Sequence, residues 1–280
     1  MNTHNPQQDS SVPADDAIAR HREELKKRYP LPDPIKTSRR RSRAALTSLM
    51  VTLGLAGGLF WLDPGYRTEQ FASAVGEQRE VDLADGSHVY LDAASRIEVS
   101  WHLRSRRVEL HTGQALFSVA PAIYRPFLTT SGSARIKVVG TRYNVSRYQD
   151  DVRVTVEEGK VDVRGHGADV RLMPGEQILV RNGQLGKTVR VDAAAFSAWK
   201  DGRLVFDRTP LSEVLAVIQR YQRKPVALQD SSLAALPVSG AFDSAHLDRM
   251  LALLPKILPL DFTTDSKGTL HVQRRAVKNN

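Results

Sequence analysis

The chain has 280 residues, 41% of them apolar and 25% charged, with a net charge of +9 and no cysteine. That apolar content suffices for packed cores and excludes a wholly disordered chain, and the length allows one or two domains plus shorter segments. Without a thiol there is no disulfide, Cys-ligated zinc, iron–sulfur cluster, thiol nucleophile or lipid anchor on cysteine; the placement of the positive charge matters more than its size.

Residues 1–43 carry 10 Lys/Arg and 6 Asp/Glu. The first dozen are polar. Asp15 or Asp16 is placed to cap a helix that runs to about Tyr29 and is stopped by Pro30, Pro32 and Pro34. Ala14, Ile18, Leu25 and Tyr29 share one side of it. So thin a stripe cannot hold a folded domain, and the helix either frays or folds onto a partner. Ile18, Leu25 and Tyr29 are the candidate partner-binding residues; the plainer reading is a solvated leader. The segment is too short for a helix-turn-helix domain, and its arginines abut an apolar run. Membrane lipid is therefore the natural counter-charge, and direct nucleic-acid binding is not expected.

That run, Ala44–Leu62, holds 19 residues and no charge. At about 1.5 Å per residue it spans roughly 28 Å, the thickness of a bilayer's hydrocarbon core. Trp61 stands where an interfacial aromatic belongs. Lys36, Arg39, Arg40, Arg41 and Arg43 precede the run, whereas the next 18 residues carry only Arg67 and Arg79. The positive-inside rule puts residues 1–43 in the cytoplasm and exports residues 63–280. Thr37-Ser38-Arg39-Arg40 resembles a twin-arginine export signal, although topogenic charge explains it more simply. Ala72-Ser73-Ala74 has the form of a signal-cleavage site but lies about ten residues past the run, so a retained single-pass anchor is expected. Gly54, Gly57 and Gly58 loosen the helix and mark a candidate region for an intramembrane protease; Gly54-x-x-x-Gly58 fits a helix-dimer face nearly as well. Residues 63–70 read as a linker.

From Phe71 to about residue 192 the chain reads as short strands. Val81-Asp82-Leu83 and Val89-Tyr90-Leu91 flank Asp85-Gly86, a hairpin signal. Glycine turns are then expected at Gly113, Gly159 and Pro174-Gly175, between the runs Val108–Leu110 and Ala115–Val119, Val152–Val156 and Val161–Val163, and Val170–Leu172 and Gln177–Val180. Such spacing predicts a mainly β domain: a barrel, a sandwich or a β-solenoid-like stack.

These runs carry a resemblance. VGEQREVDLADGSHVYLDAASRIEV, RRVELHTGQALFSVA, RPFLTT, IKVVGTRYNV, VRVTVEEGKVDV and LMPGEQ occur in the order and spacing of the FecR family of periplasmic regulators. Ala84, Gln114 and Tyr143 stand where that family often has Pro, Glu and Phe.

Past Trp199 the pattern changes. A strand over Arg203–Phe206 precedes a helix with Thr209 as cap, Pro210 first, and Leu211, Val214, Leu215, Ile218 and Tyr221 on one face. Strands over Pro225–Leu228 and Leu236–Phe242 follow. Ser244 then caps a second helix bearing Leu247, Met250, Leu251 and Leu254, and Leu260–Thr263 and Thr269–Gln273 close the unit. The order β-α-β-β-α-β-β over 199–275 resembles the STN-type domains of secretins and TonB-dependent receptors; residues 276–280 are a tail.

No enzyme motif appears. The eight histidines lack metal-ligand spacing, there is no nucleophile elbow or Walker loop, and nothing calls for a cofactor. One bond has possible chemistry: in VVGTRYN, the Thr141 hydroxyl can attack the Gly140 carbonyl and convert the amide to an ester that water cleaves. The resemblance implies such self-cleavage at the matching Gly-Thr; the alternative is an ordinary strand with a bulge. It further implies an inner-membrane signal transducer with its bulk in the periplasm. The partners would be an extracytoplasmic-function (ECF) sigma factor at the cytoplasmic helix, the signalling domain of a TonB-dependent outer-membrane receptor for an iron chelate or haem, and an intramembrane protease. Relatives often have about 80 cytoplasmic residues rich in Trp; here there are 43, with none. The rival is an anchored periplasmic module that binds a ligand or scaffold without controlling a sigma factor.

Overall fold

The computed structural model describes residues 14–30 and 39–275, in two compact units that divide between Ala56 and Gly57. Helix α1 runs over Ala14–Arg28 and ends in Lys26, Lys27 and Arg28, cations suited to a helix C-terminus. It already includes Asp15 and Asp16, which therefore lie in its first turn rather than capping it. Pro32, Pro34, Lys36, Thr37 and Ser38 lie outside the described residues. Helix α2, Arg39–Leu62, starts five residues before the expected apolar run; its window Ala45–Leu62 has a mean hydropathy of 1.7 and is nowhere buried within the protein.

No linker follows α2, contrary to the expectation for 63–70. Asp63 is buried, with a left-handed φ of 45°, and accepts hydrogen bonds from the Arg104 amide at 2.7 Å and the Ser105 hydroxyl at 2.5 Å. Strand β1 (Gly65–Ala72) then pairs antiparallel along β4 (Arg96–His102).

The β domain consists of two sheets joined by a shared strand, β5 (Arg106–Ser118). With β2 (Arg79–Asp82), β3 (His88–Leu91), β6 (Phe127–Ser131), β7 (Ala134–Val138), β8 (Arg142–Tyr148), β9 (Asp151–Glu158), β10 (Val161–Arg164), β11 (Asp169–Leu172) and β12 (Glu176–Arg181), the first sheet runs β1-β4-β5-β6-β7-β10-β11 and the second β2-β3-β5-β8-β9-β12. Short strands β13 (Gln184–Leu185) and β14 (Val189–Arg190) flank β12. Inward residues of both sheets, among them Ile97, Leu110, Phe127, Val89, Phe117 and Val145, form one core. The hairpin around Asp85-Gly86 is present as β2–β3.

Three glycine turns do other work. Gly113 is not a turn: β5 continues through it with φ at 85°, and a Cβ there would lie 2.7 Å from Ser95 Cα, so only glycine lets the strand bend from one sheet into the other. At Gly159 and at Pro174-Gly175 the chain crosses between sheets instead of closing a hairpin, because β9 and β12 pair in the second sheet and β10 and β11 in the first.

Helix α3 (Ala193–Ser197), capped by Asp192, leads into the C-terminal module. Its element order is as expected: β15 (Arg203–Pro210), α4 (Leu211–Tyr221), β16 (Val226–Leu228), β17 (Pro237–Asp243), α5 (Leu247–Ile257), β18 (Leu260–Thr264) and β19 (Leu270–Arg274). The strands form two groups, β15-β17 and β16-β19-β18. Both caps move. Thr209 pairs with Val238 inside β15, Pro210 precedes α4, and the Asp243 carboxylate rather than Ser244 accepts the capping bond, from the Ala245 amide.

Candidate functional site

The chain passes between the two sheets several times at one end of the sandwich. Residues 119–126 join β5 to β6, residues 139–141 join β7 to β8, and Gly159-Lys160 join β9 to β10. Gly140-Thr141 lies in the middle crossing. The Thr141 hydroxyl is largely buried and donates to the Lys160 carbonyl at 3.0 Å, while the Thr141 carbonyl accepts from the Val119 amide at 3.0 Å. Neither residue has a left-handed φ. Glycine at 140 has a packing reason instead: a Cβ would lie 2.8 Å from Pro121 Cα. Gly159, with φ at 83°, lies against the same bond and has room only as glycine, since a Cβ there would sit 2.9 Å from the Thr141 hydroxyl oxygen and 3.0 Å from the Gly140 carbonyl oxygen.

The crossings are braced from within by Arg106. Its side chain is wholly buried and donates to Asp85 at 2.5 Å, to the Ala120 carbonyl at 2.9 Å and to the Arg125 carbonyl at 2.9 Å. Burial alone would raise the Asp85 pKa; hydrogen bonds from Arg106 and Ser87 outweigh it and hold the carboxyl below its usual range. Tyr143, at a family position often held by Phe, stacks on Phe117 with centroids 5.1 Å apart, and its hydroxyl shares a 2.6 Å hydrogen bond with Thr129. Burial pushes that phenol far up.

A second polar cluster joins the β domain to the C-terminal module. Tyr221 donates to Asp92, Arg220 lies 3.5 Å from the same carboxylate, and Gln78 donates to the Trp199 carbonyl at 2.5 Å and the Tyr221 hydroxyl at 3.2 Å. Asn144 accepts from the Trp199 indole and the Gln114 amide, both at 3.2 Å. Burial, reinforced by the Asp92 charge, pushes the Tyr221 phenol far up. Arg153 and Glu213 form a two-bond ion pair beside it. Leu116 of β5 and Tyr90 of β3 pack into the C-terminal core rather than their own. Sequence reading missed this cluster; its one signal was Gln114 beside Leu116 on the face of β5 that alternation turns away from the β core.

The other candidate residues stay apart. Ile18, Leu25 and Tyr29 are exposed on α1. Gly54, Gly57 and Gly58 lie in α2 with open space where a Cβ would stand. Glu80, Asp82 and His88 are the group, among the described residues, that gathers three potential metal-ligand atoms within 4.8 Å. All three are exposed on the β2–β3 hairpin, and the 2.5 Å Asp82–His88 contact suffices to explain their proximity.

Comparison with known proteins follows the same two modules. The family model described as FecR protein matches residues 69–162, and that described as FecR, C-terminal, matches residues 203–272. The chain belongs to the FecR family. The FecR match runs from β1 into β10, and the FecR C-terminal match from β15 into β19. Two crystal structures, each of a protein assigned as an anti-sigma factor from Parabacteroides distasonis, are similar in fold. One is 27% identical with a TM-score of 0.69, covering 75% of this chain and 100% of its own. The other is 28% identical with a TM-score of 0.69, covering 74% and 100%. No curated protein matches.

Proposed function

We propose that this FecR-family chain is a single-pass inner-membrane signal transducer that regulates an ECF sigma factor. The observation that carries the reading is that both folded modules together resemble, over 75% of the chain, a protein assigned as an anti-sigma factor. An apolar helix long enough to span a bilayer precedes those modules, and a short helix with exposed Ile18, Leu25 and Tyr29 precedes that. In this reading the stub is cytoplasmic and holds the sigma factor, and the modules are periplasmic. They receive the signalling domain of a TonB-dependent receptor for an iron chelate or haem. Strands β16 and β18, at the edges of their sheet, offer free backbone groups for strand addition. An intramembrane protease acting near Gly54, Gly57 and Gly58 releases the stub.

The test is co-purification of this chain with an ECF sigma factor of the same genome co-expressed with it. The wild type should retain the sigma factor, and a variant carrying Ile18→Asp, Leu25→Asp and Tyr29→Asp should lose it. No retention by the wild type overturns sigma control; equal retention by the variant overturns the role of the helix.

Self-cleavage at Gly140–Thr141 belongs to the same proposal. The Thr141 oxygen attacks the Gly140 carbonyl carbon, the C–N bond breaks, and the nitrogen takes a proton as a free amine. Water then hydrolyses the ester, leaving a Gly140 carboxylate and restoring the Thr141 hydroxyl. The hydroxyl must first leave Lys160. Gly140 has no strained dihedral, and what the geometry offers is close packing around the bond that leaves no room for a side chain at 140 or 159.

A further inference from the structure

The end of the β domain that receives α2 also presents an apolar tip. Residues 119–126 carry Ile123 and Tyr124, 77% and 95% exposed, and the neighbouring β4–β5 turn carries Leu103, 59% exposed. Isolated apolar side chains on a surface need no explanation. These are not isolated. The Arg125 guanidinium donates to the His102 carbonyl at 3.0 and 2.6 Å and to the Tyr66 hydroxyl at 2.9 Å, binding the tip to the turn and to β1. The Ala122 amide donates to Val139 at 2.8 Å, and Pro121 and Pro126 stiffen the segment, so the side chains are held out by a braced loop. From the same turn, Arg104 donates to the Phe60 carbonyl at 3.3 Å and stands 4.6 Å from the centre of the Phe60 ring. Phe60 is in the last turn of α2, beside exposed Trp61.

We propose that Leu103, Ile123 and Tyr124 dip into the outer leaflet of the membrane that α2 crosses, so that the β domain rests on the lipid surface. The proposal rests on the reading of α2 as a membrane span. If α2 spans, the bilayer interface lies at Phe60–Leu62, and the clamp through Asp63 and Arg104 keeps the tip beside it. The chemistry is that of an interfacial anchor: two aliphatic residues and a tyrosine at the acyl–headgroup boundary, with the exposed guanidinium of Arg104 behind them for lipid phosphates.

The absence of cysteine makes the test direct. Single-cysteine variants Tyr124→Cys, Leu103→Cys, Leu53→Cys and Asp150→Cys of the full chain are labelled with a fluorophore and reconstituted into phosphatidylethanolamine–phosphatidylglycerol vesicles. The lipids carry bromine on acyl carbons near the headgroup or at mid-chain. Asp150 lies in the turn at the far end of β8 from Thr141, roughly 23 Å away at about 3.3 Å per residue. Labels at 124 and 103 should lose fluorescence to headgroup-proximal bromine, the label at 53 to mid-chain bromine, and the label at 150 to neither; the second tip position keeps the test open should one variant misfold. Quenching at 53 without quenching at either tip position overturns the docking and leaves the span intact. No quenching at 53 overturns the span and the docking with it.

Discussion

Arg106 heads the largest wholly buried side chains of the described chain, and its charge is matched at short range by Asp85. One guanidinium nitrogen has no hydrogen-bond partner within the protein, so the cation depends on that carboxylate. Removing one partner of a buried pair costs about 3–5 kcal/mol, because the remaining charge is left uncompensated. Asp85→Asn should lower stability by that order in denaturant titration at neutral pH. The pH sign follows from the direction of the shift. Asp85 is held below the ordinary carboxyl range, so its stabilisation is complete above about pH 4, the unfolded value. It is lost as pH falls through the lower folded value. Wild-type stability should therefore drop more steeply below about pH 4 than that of Asp85→Asn; parallel curves would show that the pair contributes nothing through ionisation. Thr141 gives the other test at this scale. Purified residues 63–280 should resolve in denaturant into two pieces meeting at Gly140–Thr141. Thr141→Ala should stay whole and Thr141→Ser should still cut. An intact wild type, or a cut Thr141→Ala, removes the acyl shift and leaves Thr141 as a buried residue that ties two crossings together.

At the scale of elements, strands were legible and, apart from the β2–β3 hairpin, their pairing was not. Alternation marked Val81–Leu83, Val89–Leu91 and Val152–Val156 as strands, because period-two burial is local. Whether a glycine between two such runs closes a hairpin, bends one strand or carries the chain to the facing sheet is decided by neighbours distant in sequence. Gly113 bends because Ser95 stands against it, and Gly159 crosses because β8 and β12 already hold both edges of β9. β1 was missed because its outer residues are exposed and its apolar content is low, so its strand state comes from β4. The caps moved for a similar reason: β15 pairs on through Thr209, which removes that residue from the helix entry. The FecR resemblance rested on motif order, and motif order survives these changes of pairing. It read the segment around Gly140-Thr141 as one strand, whereas the strand breaks there between β7 and β8, with Pro121 and Gly159 packed against the bond.

Across the whole molecule, the β domain and the C-terminal module share core residues. Leu116 comes from near the C-terminal end of β5, the strand shared by both sheets, yet its side chain is wholly buried in a cluster with Trp199 and residues of α4 and α5. A core Leu→Ala change costs about 2–5 kcal/mol. Leu116→Ala should lower a single calorimetric transition of residues 63–280 as one unit. Two transitions, only one of them shifted, would mean that the modules unfold independently. Asp63 carries a different consequence. Between the last turn of α2 and β1 there are two residues, the buried and hydrogen-bonded Asp63 and the ring-restricted Pro64, where many anchored proteins have slack chain. A tether can absorb pull and cannot carry torque. This joint has no free length, so a twist applied to the β domain reaches the last turn of α2 as a twist, and the mechanical input available to that helix end is rotation as well as tension.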